Sequence, residues 1–352
     1  MIIGMPAETK EGEGRVVLLP EAVRLLCEDG HEVRVQTSAG DGIGAADADY
    51  EAAGARIVNA FDAWDAELVV KVKEMQGADF RVAPPSRTIF SFHHLPREPQ
   101  RTRALAARGD TAIAFEMIAN AQGDFPMLSP MSVLAGRLAV DTAWRMLPAA
   151  PRKVVILGAG NAGLSAARAA ARLRSRVLLL TRSAASRDAA LEQGFAADIA
   201  TPEAIAANVV DADMVVGAVF VPGEPTPKLL SRSLVQRMQR GSVLVDICID
   251  AGGVSETSRP TSHARPTYVD EGVIHYCVPN IPAAVPLQGA TALSGAALPY
   301  ARLLAREGID EALAKHRGLR EGVLLWKGQV THEGIAAEAG LPFAPLTVEA
   351  AS

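Results

Sequence analysis

Hydrophobic positions along this chain change their period in a regular rhythm. Short apolar runs at 2–5, 32–36, 67–72, 88–92 and 111–116 read as strands, because each is β-favouring and bounded by turn-forming residues. Segments 20–29 and 99–108, between these runs, carry helical spacing. In the first, Ala22, Val23, Leu25 and Leu26 supply the apolar positions and Gly30 ends the helix. The stretch Asn120-Ala-Gln-Gly-Asp-Phe-Pro126 is turn-rich. A long apolar segment at 131–147 then predicts a helix that connects two domains, and Pro148 and Pro151 break the chain after it. A second series of runs follows at 153–157, 176–180, 214–219, 242–249 and 273–278. After Asn280 the chain is rich in Ala, Pro and Gly, and helical spacing returns at 291–307. Strands separated by helices predict parallel sheets covered on both faces.

Composition narrows the possibilities. The chain has 352 residues, 49% of them hydrophobic, which suffices for two domains with separate cores. A net charge of −5 and 5% aromatic content offer neither a basic surface for nucleic acid or anionic membrane nor a set of base-stacking rings. Cys27, Cys248 and Cys277 are odd in number, far apart and without a C-x-x-C pair. That argues against a disulfide framework or a zinc site and for a reducing cytoplasm. The opening Met1-Ile-Ile-Gly-Met-Pro lacks the basic and apolar regions of a signal peptide, and no apolar run has the length of a membrane span.

The sharpest motif is Lys153-Val-Val-Ile-Leu-Gly158-Ala-Gly160-Asn161-Ala162-Gly163, followed by an Ala-rich helical segment. Strand, G-x-G-x-x-G and helix in that order form the context of a dinucleotide site. The first glycine permits a tight turn, the second admits a pyrophosphate, and the third lets helix pack on strand. The helix N-terminus then offers unpaired N–H groups to the phosphates. The alternative is a small-residue turn in a nucleotide-free α/β domain. The expected fold is α/β, with two Rossmann-like doubly wound domains, mostly parallel sheets and an active-site cleft between them. Residues 1–127 with 290–352 are expected to form a discontinuous substrate and catalytic domain, and 128–289 the dinucleotide-binding domain.

Polar residues at the carboxyl ends of strands are the other candidates, since ligands of open α/β sheets bind there. Arg15 follows the first strand and could clamp a carboxylate, or sit in a solvated charged loop. Lys71 and Lys73 would share a face if their strand continues that far, and could bind a carboxylate or guard an edge. His93 and His94 should point oppositely, so at most one faces a cleft, and no third residue has the spacing of a metal ligand. Asp246 and Asp250 face one way if their strand stays regular. Asp250, before Gly252-Gly253, lies where a nicotinamide would sit or caps a turn. Asn280 could bond a carboxamide or substrate, or serve its turn alone.

Together these motifs resemble the alanine dehydrogenase family, which includes N5-(carboxyethyl)ornithine synthase and the nicotinamide-binding part of proton-translocating transhydrogenases. The resemblance covers nearly the whole chain. It rests on Gly4-Met-Pro-Ala-Glu8-Thr-Lys, Gly30-His-Glu-Val, Tyr50-Glu-Ala-Ala-Gly-Ala, Val70-Lys-Val-Lys-Glu74, Pro130-Met-Ser-Val-Leu-Ala-Gly136-Arg, Thr257-Ser-Arg-Pro-Thr261, His275-Tyr-Cys-Val and Asn280-Ile-Pro-Ala-Ala-Val-Pro286. It implies that Arg15 and Lys73 bind a 2-oxo acid, with Asn280 beside it. It makes His94 the general acid/base and Asp250 the second catalytic acid. Ser132, Val219, Ile247, Arg259 and Val278 match positions that line cofactor or substrate. The implied reaction is reversible oxidative deamination of a small amino acid, or imine reduction, by hydride transfer between Cα and nicotinamide C4. Alternatives are an opine-type synthase that joins a 2-oxo acid to an amino-acid amine, and a non-catalytic sensor or transhydrogenase-like module. The resemblance also implies a homo-oligomer, a dimer or hexamer.

Four stretches depart from the family pattern. A Gly-rich insertion before the dinucleotide strand is cut to Pro148-Ala-Ala-Pro-Arg152, Asp250 is followed by Ala rather than Gln, and His94-Leu95 is followed by Pro96. The strand after the glycine loop ends in Thr181-Arg182-Ser183 rather than in an acid that would bond the ribose 2′-OH. Without a carboxylate to repel a 2′-phosphate, and with Arg182 to bind one, the expected cofactor is NADP, with NAD as the alternative.

Overall fold

The computed structural model describes residues 1–96, 98–219, 221 and 225–348. The chain divides into two compact units, Met1–Pro130 with Val285–Ser352, and Met131–Ala284.

In the first unit, β1 (Ile2–Met5), β2 (Glu32–Gln36), β3 (Arg56–Val58), β4 (Leu68–Val70), β5 (Thr88–Ser91) and β6 (Thr111–Ala114) lie in the order β3-β2-β1-β4-β5-β6, all parallel. The central strands are buried on both faces, as in β4 and β6, where every residue is buried. A sheet covered on both sides demands such unbroken apolar runs. Trp64, Val69, Ile89, Leu105 and Ala112 belong to one of its core clusters.

The second unit repeats this plan. Its strands are β7 (Lys153–Leu157), β8 (Arg176–Thr181), β9 (Ala196–Ile199), β10 (Met214–Gly217), β11 (Val243–Asp246), β12 (Thr267–Asp270) and β13 (Val273–Tyr276). They lie in the order β12-β13-β11-β10-β7-β8-β9, with β12 antiparallel and the other pairs parallel. Helix Asn161–Arg172 brings Ala166, Ala167, Ala169 and Ala170 into the core that holds Val154 and Ile156. Helix Leu128–Ala143 adds Ala135, Ala139, Val140 and Ala143 to the same core. Side chains this small let helices approach the sheet closely. The chain then returns to the first sheet, where β14 (Val323–Trp326) pairs antiparallel with β6, and β15 (Gln329–Val330) with β14.

Each sheet therefore winds outward in two directions from a pair of central strands, β1 and β4 in one unit, β7 and β10 in the other. Loops leave such a switch point in opposite directions and open a crevice at the strands' carboxyl ends.

Several sequence expectations need correction. Most strands stop one to three residues early, because chain at the carboxyl ends turns to place polar groups. β4 ends at Val70, so Lys71 and Lys73 do not share a strand face. β11 ends at Asp246, and Asp250 lies in the 3-10 turn Ile249–Ala251. Asp246 is consequently buried while Asp250 is exposed. The helix expected from 291 begins at Pro286, and that expected at 131–147 spans Leu128–Ala143. The short strands β3, β9, β12, β14 and β15 were absent from the sequence reading. They lie at or next to sheet edges, where burial is partial and the apolar pattern weak; β9 alternates exposed and half-buried positions.

Candidate active site

The loops after β1 and β4 meet across the switch point of the first unit. The Glu8 carboxylate, at the end of the β1 loop, accepts the N–H of Val72 at 2.6 Å and lies 3.3 Å from the N–H of Lys73. It also lies 3.6 Å from Lys71 Nζ, and Lys71 donates to Asp79 Oδ2 at 2.8 Å. Lys71 and Asp79 are almost wholly buried, at 1% and 2% exposure. Burial alone would lower the Lys71 pKa, but the charges of Glu8, Asp79 and Glu74 reverse this and raise it. Burial pushes the Glu8 carboxyl up to about 7, with Lys71 opposing and the nearby charge of Glu13 reinforcing the rise.

Arg15 is buried in this neighbourhood, at 2% exposure, and its Nε donates to Glu13 Oε1 at 2.7 Å. Its Nη2 donates to Glu13 Oε2 at 2.5 Å, which completes a two-pronged pair. A solvated loop is thereby excluded as the role of Arg15. Lys73 Nζ stands 3.3 Å from His94 Nε2. An ammonium has only donors, so with Lys73 protonated Nε2 is the acceptor and the proton of a neutral ring sits on Nδ1. The His94 ring stacks on Phe92, with centroids 5.7 Å apart and planes 4° from parallel.

His93 and His94 face different surroundings, although both lie past the end of β5 at Ser91, where strand alternation no longer applies. His93 is fully buried, lies 3.1 Å from the Ile89 carbonyl through Nε2, and is held at a pKa of about 4 by burial. His94 remains partly accessible. Glu74 pairs with Lys10 at 2.7 Å. Burial would raise its pKa, but Lys73, His94 and Lys10 together hold it down at about 2. Sequence reasoning did not nominate Glu13, Glu74, Asp79 or Glu116. Glu116 was findable, since it follows β6 at a carboxyl end. Asp79 lies in the short helix Gly77–Val82, and no motif marked it.

In the second unit the glycine turn follows β7, and helix Asn161–Arg172 starts with Gly160 as its N-cap. A Cβ on Gly158, whose φ is +108°, would lie 2.3 Å from the Ala218 carbonyl oxygen. One on Gly163 would lie 2.0 Å from that of Gly158. These contacts require glycine. Gly160 differs, because a Cβ there would meet nothing within 4 Å. It leaves open space over the helix N-terminus, which fits a cofactor pyrophosphate. Asn161 is exposed and Ala162 half-buried beside it.

At the end of β8, Thr181 is buried while Arg182 and Ser183 are exposed. Arg182 forms no ion pair among the described residues, and the Ser183 hydroxyl caps the next helix by accepting the Ser186 N–H at 3.1 Å. Past β10 and β11, Val219 donates its N–H to Cys248 Sγ at 2.9 Å, with Ile247 half-buried alongside. Asp246 holds the turn that carries Asp250, accepting the N–H groups of Cys248 and Val254 and the Ser258 hydroxyl. Asp250 Oδ2 accepts the Asn280 N–H at 3.3 Å, and Asn280 takes φ +57° just past the buried Val278. Arg259 lies over the Tyr268 ring, 3.8 Å from its centroid. Ser132 is half-buried on helix Leu128–Ala143. Among the described residues no cluster of His, Cys, Asp or Glu could hold a metal ion, and no helix is long and apolar enough to cross a membrane.

Two doubly wound α/β units, the second with a glycine turn at its switch point, define a two-domain protein of the dinucleotide-binding type. Comparison with known proteins identifies which. The family models "Alanine dehydrogenase/PNT, N-terminal domain" and "Alanine dehydrogenase/PNT, C-terminal domain" match residues 4–135 and 140–333. Alanine dehydrogenase of Halomonas elongata is 40% identical over 100% of this chain and 99% of its own length. That of Mycolicibacterium smegmatis is 39% identical over 97% and 98%. A solved L-alanine dehydrogenase superposes with a TM-score of 0.88 at 38% identity, covering 96% of this chain and 99% of that one. A transhydrogenase from Sinorhizobium meliloti, 24% identical, shares the fold with a TM-score of 0.82. The chain belongs to the alanine dehydrogenase/PNT family.

Two outcomes follow from this geometry. Gly163→Ala should cost about 2–4 kcal/mol of stability, since backbone must move to admit the methyl, whereas Gly160→Ala should leave thermal denaturation nearly unchanged. Equal midpoints for the two variants would contradict the packing argument. For Glu8 the folded-state pKa is raised, so the stability contributed by its proton is present below its ordinary value of 4.5 and lost as pH rises through about 7. Glu8→Gln should therefore gain on the wild type by about 3 kcal/mol between pH 4.5 and 8. A stability difference that stays flat with pH would remove Glu8 as a titrating group.

Proposed function

We propose that this chain is a nicotinamide-dependent amino-acid dehydrogenase that interconverts a small amino acid, alanine first among them, with its 2-oxo acid and ammonia. The observation that carries this reading is the Lys73–His94 contact at 3.3 Å in the unit that also buries Arg15, in a chain 38–40% identical to alanine dehydrogenases nearly end to end. The curated relatives named above, alanine dehydrogenases matched nearly end to end, do not favour the opine-type and non-catalytic alternatives.

In this reading Arg15 and Lys73 bind the carboxylate and carbonyl of the 2-oxo acid. Glu13 grips the Arg15 guanidinium through Nε and Nη2 and so fixes the direction of its remaining donors. Lys73 polarises the carbonyl with a proton of Nζ. His94, neutral with its lone pair on Nε2, takes a proton from the attacking amine or water and returns it as the carbinolamine collapses. Asp250, exposed on its turn and oriented by the Asn280 N–H, is the second acidic group. A bound nicotinamide supplies the hydride acceptor and donor for Cα. Gly158, Gly160, Asn161, Ala162 and Gly163 would hold its pyrophosphate, and Ser132, Val219, Ile247, Arg259 and Val278 would line the rest. A homo-oligomer in the cytoplasm goes with this reading.

Pyruvate with ammonium should oxidise the reduced cofactor, followed by absorbance at pH 7–9. His94→Ala should lower kcat by at least about 100-fold while the cofactor dissociation constant stays within about threefold. Turnover that appears only when a second amino acid replaces ammonium would sink the deaminase reading. Turnover that survives His94→Ala would sink the assignment of His94.

The finer cofactor choice is NADP, supported by an exposed Arg182 without an ion-pair partner among the described residues and by the absence of an acid at the end of β8. Arg182→Ala should weaken NADP binding about 10- to 100-fold and leave NAD within about threefold. Parallel losses for both cofactors would refute a 2′-phosphate contact.

A further inference from the structure

Glu116 lies outside every motif discussed so far. It follows β6 in the 3-10 turn Phe115–Met117, and its carboxylate reaches across to the segment after β5. There Oε1 accepts the His94 N–H at 2.7 Å and the His93 N–H at 3.1 Å, while Oε2 lies 3.3 Å from the latter. Successive backbone N–H groups converge on one carboxylate only when the chain departs from strand geometry, where they point to opposite sides. The departure is visible in His94, whose φ is +48°. This left-handed backbone is uncommon for a residue with a Cβ and persists only where its surroundings impose it.

Three other contacts limit where the His94 ring can go. Phe92 stacks on it, Phe115 lies edge-on to Phe92 at 5.2 Å, and Phe90 lies edge-on to Phe115 at 4.4 Å. Glu116 is the immediate neighbour of Phe115, so one short segment fixes both the aromatic support and the backbone of His94. The charged and titratable groups facing this carboxylate are Lys73 from the β4 loop and His93 and His94 from the β5 segment. Glu74 reaches the same histidine through its charge.

We propose that Glu116 is a positioning residue of the active site: by accepting the N–H groups of His93 and His94 it imposes the left-handed His94 backbone that sets Nε2 against Lys73. The inference rests on the role of His94 in the proposed function. Its geometric basis is the two N–H bonds, the positive φ and the 3.3 Å contact. Burial raises the Glu116 carboxyl to about 7 against the pull of these N–H donors and of Lys73. The clamp therefore strengthens as pH rises through about 7, where the group ionises.

The test compares Glu116→Gln and Glu116→Ala with the wild type in the full chain. Gln keeps one acceptor oxygen and Ala keeps none. With pyruvate, ammonium and reduced cofactor, kcat should fall by about 10-fold for Gln and about 100-fold for Ala, the scale expected when a reacting group is misplaced by about 1 Å. The pyruvate KM and the cofactor dissociation constant should stay within about threefold. The acidic limb of the kcat pH profile should move, and the His94 ring, followed by NMR, should lose the Nδ1–H tautomer of the wild type.

A kcat per folded molecule equal to the wild type's in both variants, with only the denaturation midpoint lowered, would overturn the proposal. So would an unchanged His94 tautomer. If the Ala variant does not fold, Gln alone decides on the same readings. Should the wild type itself fail to consume pyruvate with ammonium, the functional reading falls while the NMR comparison still judges Glu116.

Discussion

A buried carboxylate joins the two loops of the first unit at the place where its sheet divides. The chain leaves β1 and β4 in opposite directions, and the Glu8 carboxylate joins the two loops by accepting the Val72 N–H. Thr9, which donates to Asp79, and Lys10, paired with Glu74, join the same two loops. Lys71, Asp79, Lys73 and, through Glu13, Arg15 all take their places relative to Glu8.

Such a cluster is costly to build. A buried ion pair seldom stabilises a fold more than well-packed apolar groups of the same volume, because desolvation consumes the attraction. Here Arg15, Lys71, Lys73, Glu74 and Asp79 are all buried in one unit of a chain that is otherwise rich in Ala, Val and Leu. The cost is evident in the pKa of about 7 at Glu8. Stability does not account for retaining it. Under the proposed function, recognition of an anionic substrate does, since cations already held in place by buried carboxylates need no reorganisation when a carboxylate and a carbonyl arrive. The second unit follows a different logic. Its glycine turn is shaped by backbone contact at Gly158 and Gly163, and only Gly160 is left open.

Much of this was legible in the sequence, for identifiable reasons. Central parallel strands are unbroken apolar runs, so β1, β4, β5, β7, β10 and β11 stood out; edge strands such as β3 and β9 carry a mixed pattern and did not. The doubly wound plan followed from alternation, and the glycine loop from its strand-turn-helix context. Where strands end was not legible, because termination depends on contacts remote in sequence. Asp246 and Asp250 are four residues apart, yet one is buried under three donors and the other is exposed. The position of Glu116 at a strand's carboxyl end was legible, but its partners were not, since they lie 22 and 23 residues away.

The central claim is that the charges around Glu8 form a preassembled receptor for a 2-oxo acid. A crystal structure of the protein with oxamate, an unreactive isostere of pyruvate, tests it most directly. The account predicts the oxamate carboxylate on Arg15 and its carbonyl oxygen on Lys73 and His94, with the Glu8–Val72 bridge intact. Oxamate bound elsewhere, or a Glu8 released from the bridge to admit it, would contradict the account.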